Sequence, residues 1–130
     1  LFFFQINVKK KNIYIAEKYV EAGLYLATND IENSKKIYEE IILSKNKFYS
    51  ILALNTVIEK DLISDKKKII NYFSTLEKST SSKDNKDLII LKKALYFLKE
   101  SNTQESKKLL TNLIENNSNL KKIAQELLDK

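Results

Sequence analysis

The chain has 130 residues with one Gly, no Pro, no Cys and no His, and its formal charge is +6. The absence of Cys excludes a disulfide framework, and the absence of both Cys and His excludes the usual zinc sites. A hydrophobic content of 43% is ordinary for a folded protein. Because a β-rich fold with many tight turns uses more Gly and Pro, composition predicts a helical protein.

All 23 basic residues are Lys. Basic charge can attract nucleic acid or anionic lipid, but Arg is the residue that recognises phosphates and bases with two hydrogen bonds. We interpret the Lys excess as a solvated surface and predict no nucleic-acid partner. The alternative, a basic nucleic-acid-binding helical protein, predicts tight binding that weakens with salt.

The chain opens LFFFQINVKKK. The apolar stretch Leu1–Phe4 is far shorter than the roughly 20 residues of a membrane span. Two interpretations stay open, namely the end of a longer apolar anchor or a loosely docked terminus. We therefore separate an N-terminal segment, residues 1–11, from a helical domain, residues 12–130.

Apolar residues recur three and four positions apart along most of the chain, which predicts helices. The first helix covers about 12–28, and Asp30 is expected to cap the second. The buried stripe of that second helix is predicted to be Ser34, Ile37, Tyr38, Ile41 and Ile42. The next segment, 48–62, is apolar around most of its circumference, as expected of a central helix.

Four further helices are predicted beyond that segment. Ser64-Asp65 is expected to cap a helix that carries Ile69, Phe73 and Leu76 on one face. STSSKDN, 79–85, is expected to form a loop. A fifth helix runs from about Leu88, and a capping box at Ser101 and Gln104 starts the sixth. ENNSN, 115–119, turns the chain into a final amphipathic helix.

The chain contains an internal repeat. SKKIYEEII, 34–42, matches SKKLLTNLI, 106–114, at an offset of 72, whereas GLYLA, 23–27, faces ALYFL, 94–98, at an offset of 71. A one-residue difference in loop length would explain the change. The stripe at 69, 73 and 76 follows that at 34, 38 and 41 by 35, so three helix pairs of about 35 residues precede a closing helix. Such units bury their apolar faces by stacking.

This pattern is similar to the tetratricopeptide repeat. Tyr19, the small pair Ala22-Gly23, Ser34 and Tyr38 carry the likeness, while the usual Pro is absent and Tyr replaces Trp. The resemblance implies an all-α, tetratricopeptide-like right-handed stack of about three helix hairpins plus a C-terminal capping helix. A plain helical bundle is the alternative.

The common catalytic routes lack parts here, and the carboxylate pair Glu39-Glu40 is expected on the exposed flank of a helix. The chain has no His base or Cys nucleophile, and one Gly cannot make a phosphate loop. We predict a protein that is not an enzyme and uses no cofactor or metal. By tetratricopeptide register, five residues would face a protein-binding groove: Glu17, Leu24, Tyr49, Lys92 and Tyr96.

The tyrosines divide into two sets. Tyr14, Tyr19, Tyr38 and Tyr72 occupy stripe positions and are expected in the core. Tyr25, Tyr49 and Tyr96 lie off the stripe and either line a peptide groove or pack between repeats.

Residues 12–130 also resemble one tetratricopeptide-like family, the ancillary subunit of the SecYEG translocon (YfgM type). Four stretches carry the likeness: IAEKYVEAGLYLATND, KNKFYSILALNTVIEKDLISD, DLIILKKALYFLKESNTQESKKLLTNLI and NSNLKKIAQELLDK. The resemblance implies an inner-membrane anchor, for which LFFF would be the end, and a periplasmic repeat domain. It implies the translocon and periplasmic chaperones as partners and a role in handing over translocated proteins.

One observation favours another compartment. Lys9, Lys10 and Lys11 follow the apolar stretch directly, and the positive-inside rule places such a flank in the cytoplasm. The alternative is therefore a soluble cytoplasmic tetratricopeptide scaffold that binds peptide segments.

Overall fold

The computed structural model describes the backbone of residues 2–130 and the side chains of residues 7–130. Within this part the chain is all-α, as predicted, with seven helices and no strand. The helices are α1 (Phe2–Ala27), α2 (Ile31–Leu43), α3 (Tyr49–Glu59), α4 (Lys66–Ser79), α5 (Lys83–Lys99), α6 (Thr103–Glu115) and α7 (Lys121–Leu128). The predictions for the apolar side chains of Leu1–Phe4 lie outside the described residues.

The chain divides into two compact units, Leu1–Tyr72 and Phe73–Lys130, and the boundary falls inside α4. In the first unit α1 packs against α2 and α3, and α2 packs against α3. In the second unit α6 packs against both α5 and α7. The consecutive pairs α1–α2, α2–α3, α5–α6 and α6–α7 are therefore packed neighbours, as the short turns between them require.

Helix α2 shows how the sequence dictates local structure. The Asp30 side chain accepts a hydrogen bond from the Asn33 N–H, which satisfies one of the free donors at the start of the helix. All five residues of the predicted stripe are buried, and Ile41 and Ile42 are 0% exposed. Full burial of one such side chain stabilises the fold by about 1.5–3 kcal/mol.

The turn that precedes α2 recurs before α6. Asn29 and Ser101 have φ angles of 62° and 63°, in the left-handed region. The next N–H in each turn reaches back five residues, from Asp30 to the Tyr25 carbonyl and from Asn102 to the Phe97 carbonyl, both at 2.8 Å. This pattern is the Schellman ending of a helix.

Each turn is braced by one buried serine. The Ser34 hydroxyl donates to the Ala22 carbonyl at 2.9 Å, and the Ser106 hydroxyl donates to the Ala94 carbonyl at 2.9 Å. All four residues are 0% exposed. Because the pairs before and after the turn are both 72 residues apart, the two turns have equal length. The predicted upstream offset of 71 is therefore wrong.

The middle turn, between α3 and α4, begins with the same helix ending, since the Leu62 N–H reaches back five residues to the Val57 carbonyl at 2.9 Å, but it is three residues longer. Asp61 is its left-handed residue, with a φ of 51°, and Asp65 accepts hydrogen bonds from the N–H groups of residues 67 and 68. Leu62–Ser64 are inserted between these two positions, and Leu62 and Ile63 are buried. The cap at residue 65 follows that at residue 30 by 35, as the repeat predicts.

Three predicted boundaries are wrong. Helix α1 begins at Phe2, not near Asn12, and is continuous through residues 11 and 12. The loop predicted at 79–85 covers only residues 80–82, because Ser82 caps α5 and the polar residues 83–85 form the first turn of that helix. Asn102, not Ser101, caps α6, since Ser101 takes the left-handed position that ends α5.

Candidate protein-binding surface

An open groove runs between α1 and α2 in the first unit. It consists of two adjoining hollows of about 860 Å³ and 230 Å³, which share Tyr14, Ile15 and Ser44. The remaining lining residues are Val8, Lys11, Asn12, Glu32, Lys35, Lys36, Glu39, Glu40, Leu43 and Asn46. We call this surface the α1–α2 groove.

Tyr14 and Leu43 give the α1–α2 groove its apolar character, with 49% and 58% of their surfaces exposed. The Tyr14 hydroxyl donates to Glu40 Oε1 at 3.0 Å, which ties α1 to α2 across the groove. At one end, the Asn46 side-chain amide donates to Asn12 Oδ1 at 3.0 Å. The groove therefore has aromatic and aliphatic surface between charged side chains of both signs.

Glu39 is the most constrained charge on the groove. Its Oε2 accepts a hydrogen bond from the Tyr72 hydroxyl at 2.5 Å and lies 2.7 Å from Lys68 Nζ. Burial acts to raise the pKa of Glu39, but the hydrogen bonds from Lys68 and Tyr72 and the nearby Lys charges outweigh it, so that pKa is lowered. Burial first, and then Glu39, raise the pKa of Tyr72. Both effects favour an ionised glutamate beside a neutral tyrosine.

The four tyrosines expected in the core do not all lie there. Tyr38 and Tyr72 are buried, at 3% and 6% exposure, and burial raises the pKa of Tyr38. Tyr19 is half-buried, with its ring centroid 6.0 Å from that of Tyr38. The prediction is wrong for Tyr14, because helix α1 turns that residue away from the buried face that Ile15 occupies.

The five predicted groove residues fall into different environments. Glu17 is exposed and Leu24 is 63% exposed, and both lie on α1 two turns apart. Tyr49 is half-buried, with its ring centroid 5.4 Å from that of Tyr19. In the second unit Lys92 is half-buried and Tyr96 is only 6% exposed.

The rings of Tyr49 and Tyr96 are engaged inside their own units. Phe48 lies 4.9 Å from Tyr49 between ring centroids, and Phe73 and Phe97 lie 6.0 Å and 6.1 Å from Tyr96. Tyr25 is the third tyrosine for which a peptide groove and packing between repeats were both considered, and it is half-buried on α1.

Sequence reasoning missed the residues that shape the α1–α2 groove. Tyr14 immediately precedes the buried Ile15, and Leu43 follows the buried pair Ile41-Ile42 as the last residue of α2. A signal was available in the sequence. A large apolar residue that stands next to a stripe already sufficient to cover the core, such as Leu43, is not needed for core packing and can be exposed.

Among the described residues, no group of three or more acidic side chains is placed to hold a metal ion. Over the same part of the chain, no helix combines the length and apolar character that a membrane span requires. Comparison with protein-family models, curated proteins and solved structures found no significant match.

Proposed function

We propose that the chain is a non-catalytic protein-interaction module. In this proposal the three helix pairs α1–α2, α3–α4 and α5–α6 stack in the right-handed tetratricopeptide-like manner, and α7 is the capping helix. The recurrence of one turn, with one left-handed residue and one serine brace, supports a repeat architecture. The packing of α1 on both α2 and α3 is what successive repeats require.

The α1–α2 groove is the observation that carries an interaction role. A groove with aromatic and aliphatic surface inside a polar rim offers the kind of contact area that protein-binding sites use. Tyr14 and Leu43 provide aromatic and aliphatic contact area, whereas Glu32, Lys35 and Lys36 can pair with charges on a bound segment. We propose that the ligand is a peptide segment with apolar anchors.

We further propose that this module is the periplasmic domain of a membrane-anchored adaptor at the Sec translocon that assists the handover of translocated proteins to chaperones. The resemblance of residues 12–130 to the ancillary translocon subunit supports this setting. Lys9–Lys11 favour the second candidate, a soluble cytoplasmic scaffold that binds peptide segments, since such a lysine flank is typical of cytoplasmic segments.

Crosslinking of the full-length protein in its native membranes, followed by mass spectrometry, tests the setting. Translocon subunits and periplasmic chaperones among the products would support the adaptor. Cytoplasmic proteins alone, or a protein absent from the membrane fraction, would support the scaffold and contradict the adaptor.

A substitution in the groove tests the module itself. Leu43→Asp should remove the specific crosslinked products, because it places a charge on the apolar wall. Ile123→Asp is the matched control, since Ile123 is similarly exposed (46%) but lies on α7 outside the α1–α2 groove. Equal product sets for both variants and the unsubstituted chain would contradict the groove as the binding site.

A further inference from the structure

Helix α1 carries apolar residues on two opposite sides. Ile15 and Ala22 face the core, at 7% and 0% exposure. Ile13, Val20 and Leu24 are 59%, 61% and 63% exposed, and their spacing of seven and four places them on one side of the helix. Three exposed aliphatic residues in one row make a helix face that none of the described side chains of the first unit covers.

The second copy of the repeat shows what covers the part of this face between Glu17 and Leu24. The residues of α5 that correspond to Glu17 and Leu24, 72 positions on, are Ile89 and Tyr96, and they are only 7% and 6% exposed. The ring of Tyr96 lies 6.0 Å from that of Phe73, near the C-terminal end of α4. At Tyr96, the equivalent of Leu24, α5 is therefore covered by a ring of the amphipathic helix α4, whereas the equivalents of Ile13 and Val20 are the exposed Asn85 and the half-buried Lys92.

An ion pair fixes the same contact. Lys93 Nζ on α5 lies 3.7 Å from Glu77 Oε1 on α4, and the two side chains are 16% and 28% exposed. Phe73 and Glu77 are one helical turn apart, so an aromatic ring and a charge from one side of α4 meet α5 together.

Helix α1 carries acidic residues at the positions equivalent to these contacts. Glu21 corresponds to Lys93, and Glu17 corresponds to the apolar Ile89. Lys18 Nζ is 3.6 Å from Glu21 Oε2, but this exposed pair within one helix turn is weak. A helix that covers α1 as α4 covers α5 therefore needs a basic residue where α4 has Glu77.

We propose that the outer face of α1, defined by Ile13, Glu17, Val20, Glu21 and Leu24, docks an amphipathic helix of a partner protein. One residue of that helix, aromatic or large and aliphatic, contacts Leu24. A Lys or Arg one helical turn later in the same partner helix pairs with Glu21. This surface is distinct from the α1–α2 groove, and the proposal does not depend on the function proposed for that groove.

The test uses a probe taken from the chain itself. Two labelled peptides span α4, Lys66–Ser79, one with the natural sequence and one with Glu77→Lys. Each is stapled on its polar side, because an isolated helix of this length is marginal in water. Fluorescence anisotropy measures their binding to the full chain, whose own α4 already occupies the equivalent face of α5.

The Glu77→Lys peptide should bind the unsubstituted chain about two- to fivefold more tightly than the natural peptide. On the variant Glu21→Lys, the natural peptide should bind more tightly than the Glu77→Lys peptide. Leu24→Asp should weaken binding of the preferred peptide at least about tenfold. Leu43→Asp, in the α1–α2 groove, should leave binding unchanged, and circular dichroism should show that all variants remain helical.

Three results would overturn the proposal. One is the absence of binding by either peptide. Another is that the variant Glu21→Lys keeps the same preference between the two peptides, or that binding is lost in Leu43→Asp but retained in Leu24→Asp. The third is dimerisation in sedimentation equilibrium that Leu24→Asp abolishes, which would assign this face to a second copy of the chain. Failure of the groove variant in crosslinking would leave these outcomes unaffected, so the two proposals fail separately.

Discussion

Replacement of Gly23 by Ala is expected to stabilise the protein. Gly23 lies inside α1, and a Cβ built there meets only the Tyr38 hydroxyl oxygen, at an ordinary contact distance of 3.9 Å. In the second copy of the repeat the same position is Leu95, which is 43% exposed, so the architecture accepts a larger side chain there. No steric need for glycine therefore offsets its conformational cost in a helix.

The gain follows from helix propensity. Ala is favoured over Gly inside a helix by about 1 kcal/mol. For a chain of 130 residues, the usual entropy of unfolding converts about 1 kcal/mol into a rise in Tm of about 3–4 °C. Far-ultraviolet circular dichroism during thermal and urea unfolding measures both quantities, and both transitions should shift in the same direction.

Ala22→Gly is the matched control for Gly23→Ala. Ala22 is 0% exposed, so this change removes a buried methyl group as well as helix propensity and should cost at least about 1 kcal/mol. A lower Tm for Gly23→Ala would refute the reasoning, because it would show that the helices approach at Gly23 too closely for a Cβ.

Three further predictions concern buried polar groups. Ser34→Ala and Ser106→Ala should each lower the free energy of unfolding by about 1 kcal/mol, since each removes one buried hydrogen bond of 2.9 Å; urea denaturation that shows no loss at either site would contradict the brace. Asp87→Ile should raise the free energy of unfolding by about 1 kcal/mol or more. Asp87 Oδ2 is buried without a hydrogen bond from the described residues, and its ion pair with Lys83 Nζ is long, at 3.8 Å, and involves an exposed lysine that water can solvate after the change. A lower Tm would count against this. Tyr72→Phe should cost about 1 kcal/mol at neutral pH. The pKa of Glu39 is lowered in the folded protein. The ionised Glu39 therefore stabilises the folded state at pH values above the ordinary glutamate pKa, and this stabilisation is lost as the pH falls through the lowered pKa of the folded state. The difference between Tyr72→Phe and the unsubstituted chain should therefore shrink in acid, and a difference independent of pH would contradict the assignment.

Local patterns predicted α2 almost completely. Its stripe and its cap at Asp30 are set by residues within the helix or adjacent to it. The same reasoning failed at the start of α5, because Lys83, Asp84 and Asn85 are polar residues that suit a first helical turn and a loop equally well.

The candidate surfaces were less predictable than the helices. Glu17 and Leu24 are exposed on α1, whereas Tyr96, at the position of α5 equivalent to Leu24, is buried against Phe73. The periodic pattern of one helix cannot show whether another helix covers its second side. That depends on which element packs there in three dimensions.

The sequence by itself determined the all-α class, the number of helices in the described residues and the repeat at an offset of 72, because periodicity and capping act over a few neighbouring residues. Only the tertiary structure decided the equal length of the turns before α2 and α6, since their hydrogen bonds place Asn29 and Ser101 at the same position. It also decided which faces stay open. Exposure of Tyr14, Leu24 and Leu43 follows from the elements that pack around them, and that long-range packing is not encoded in any single segment.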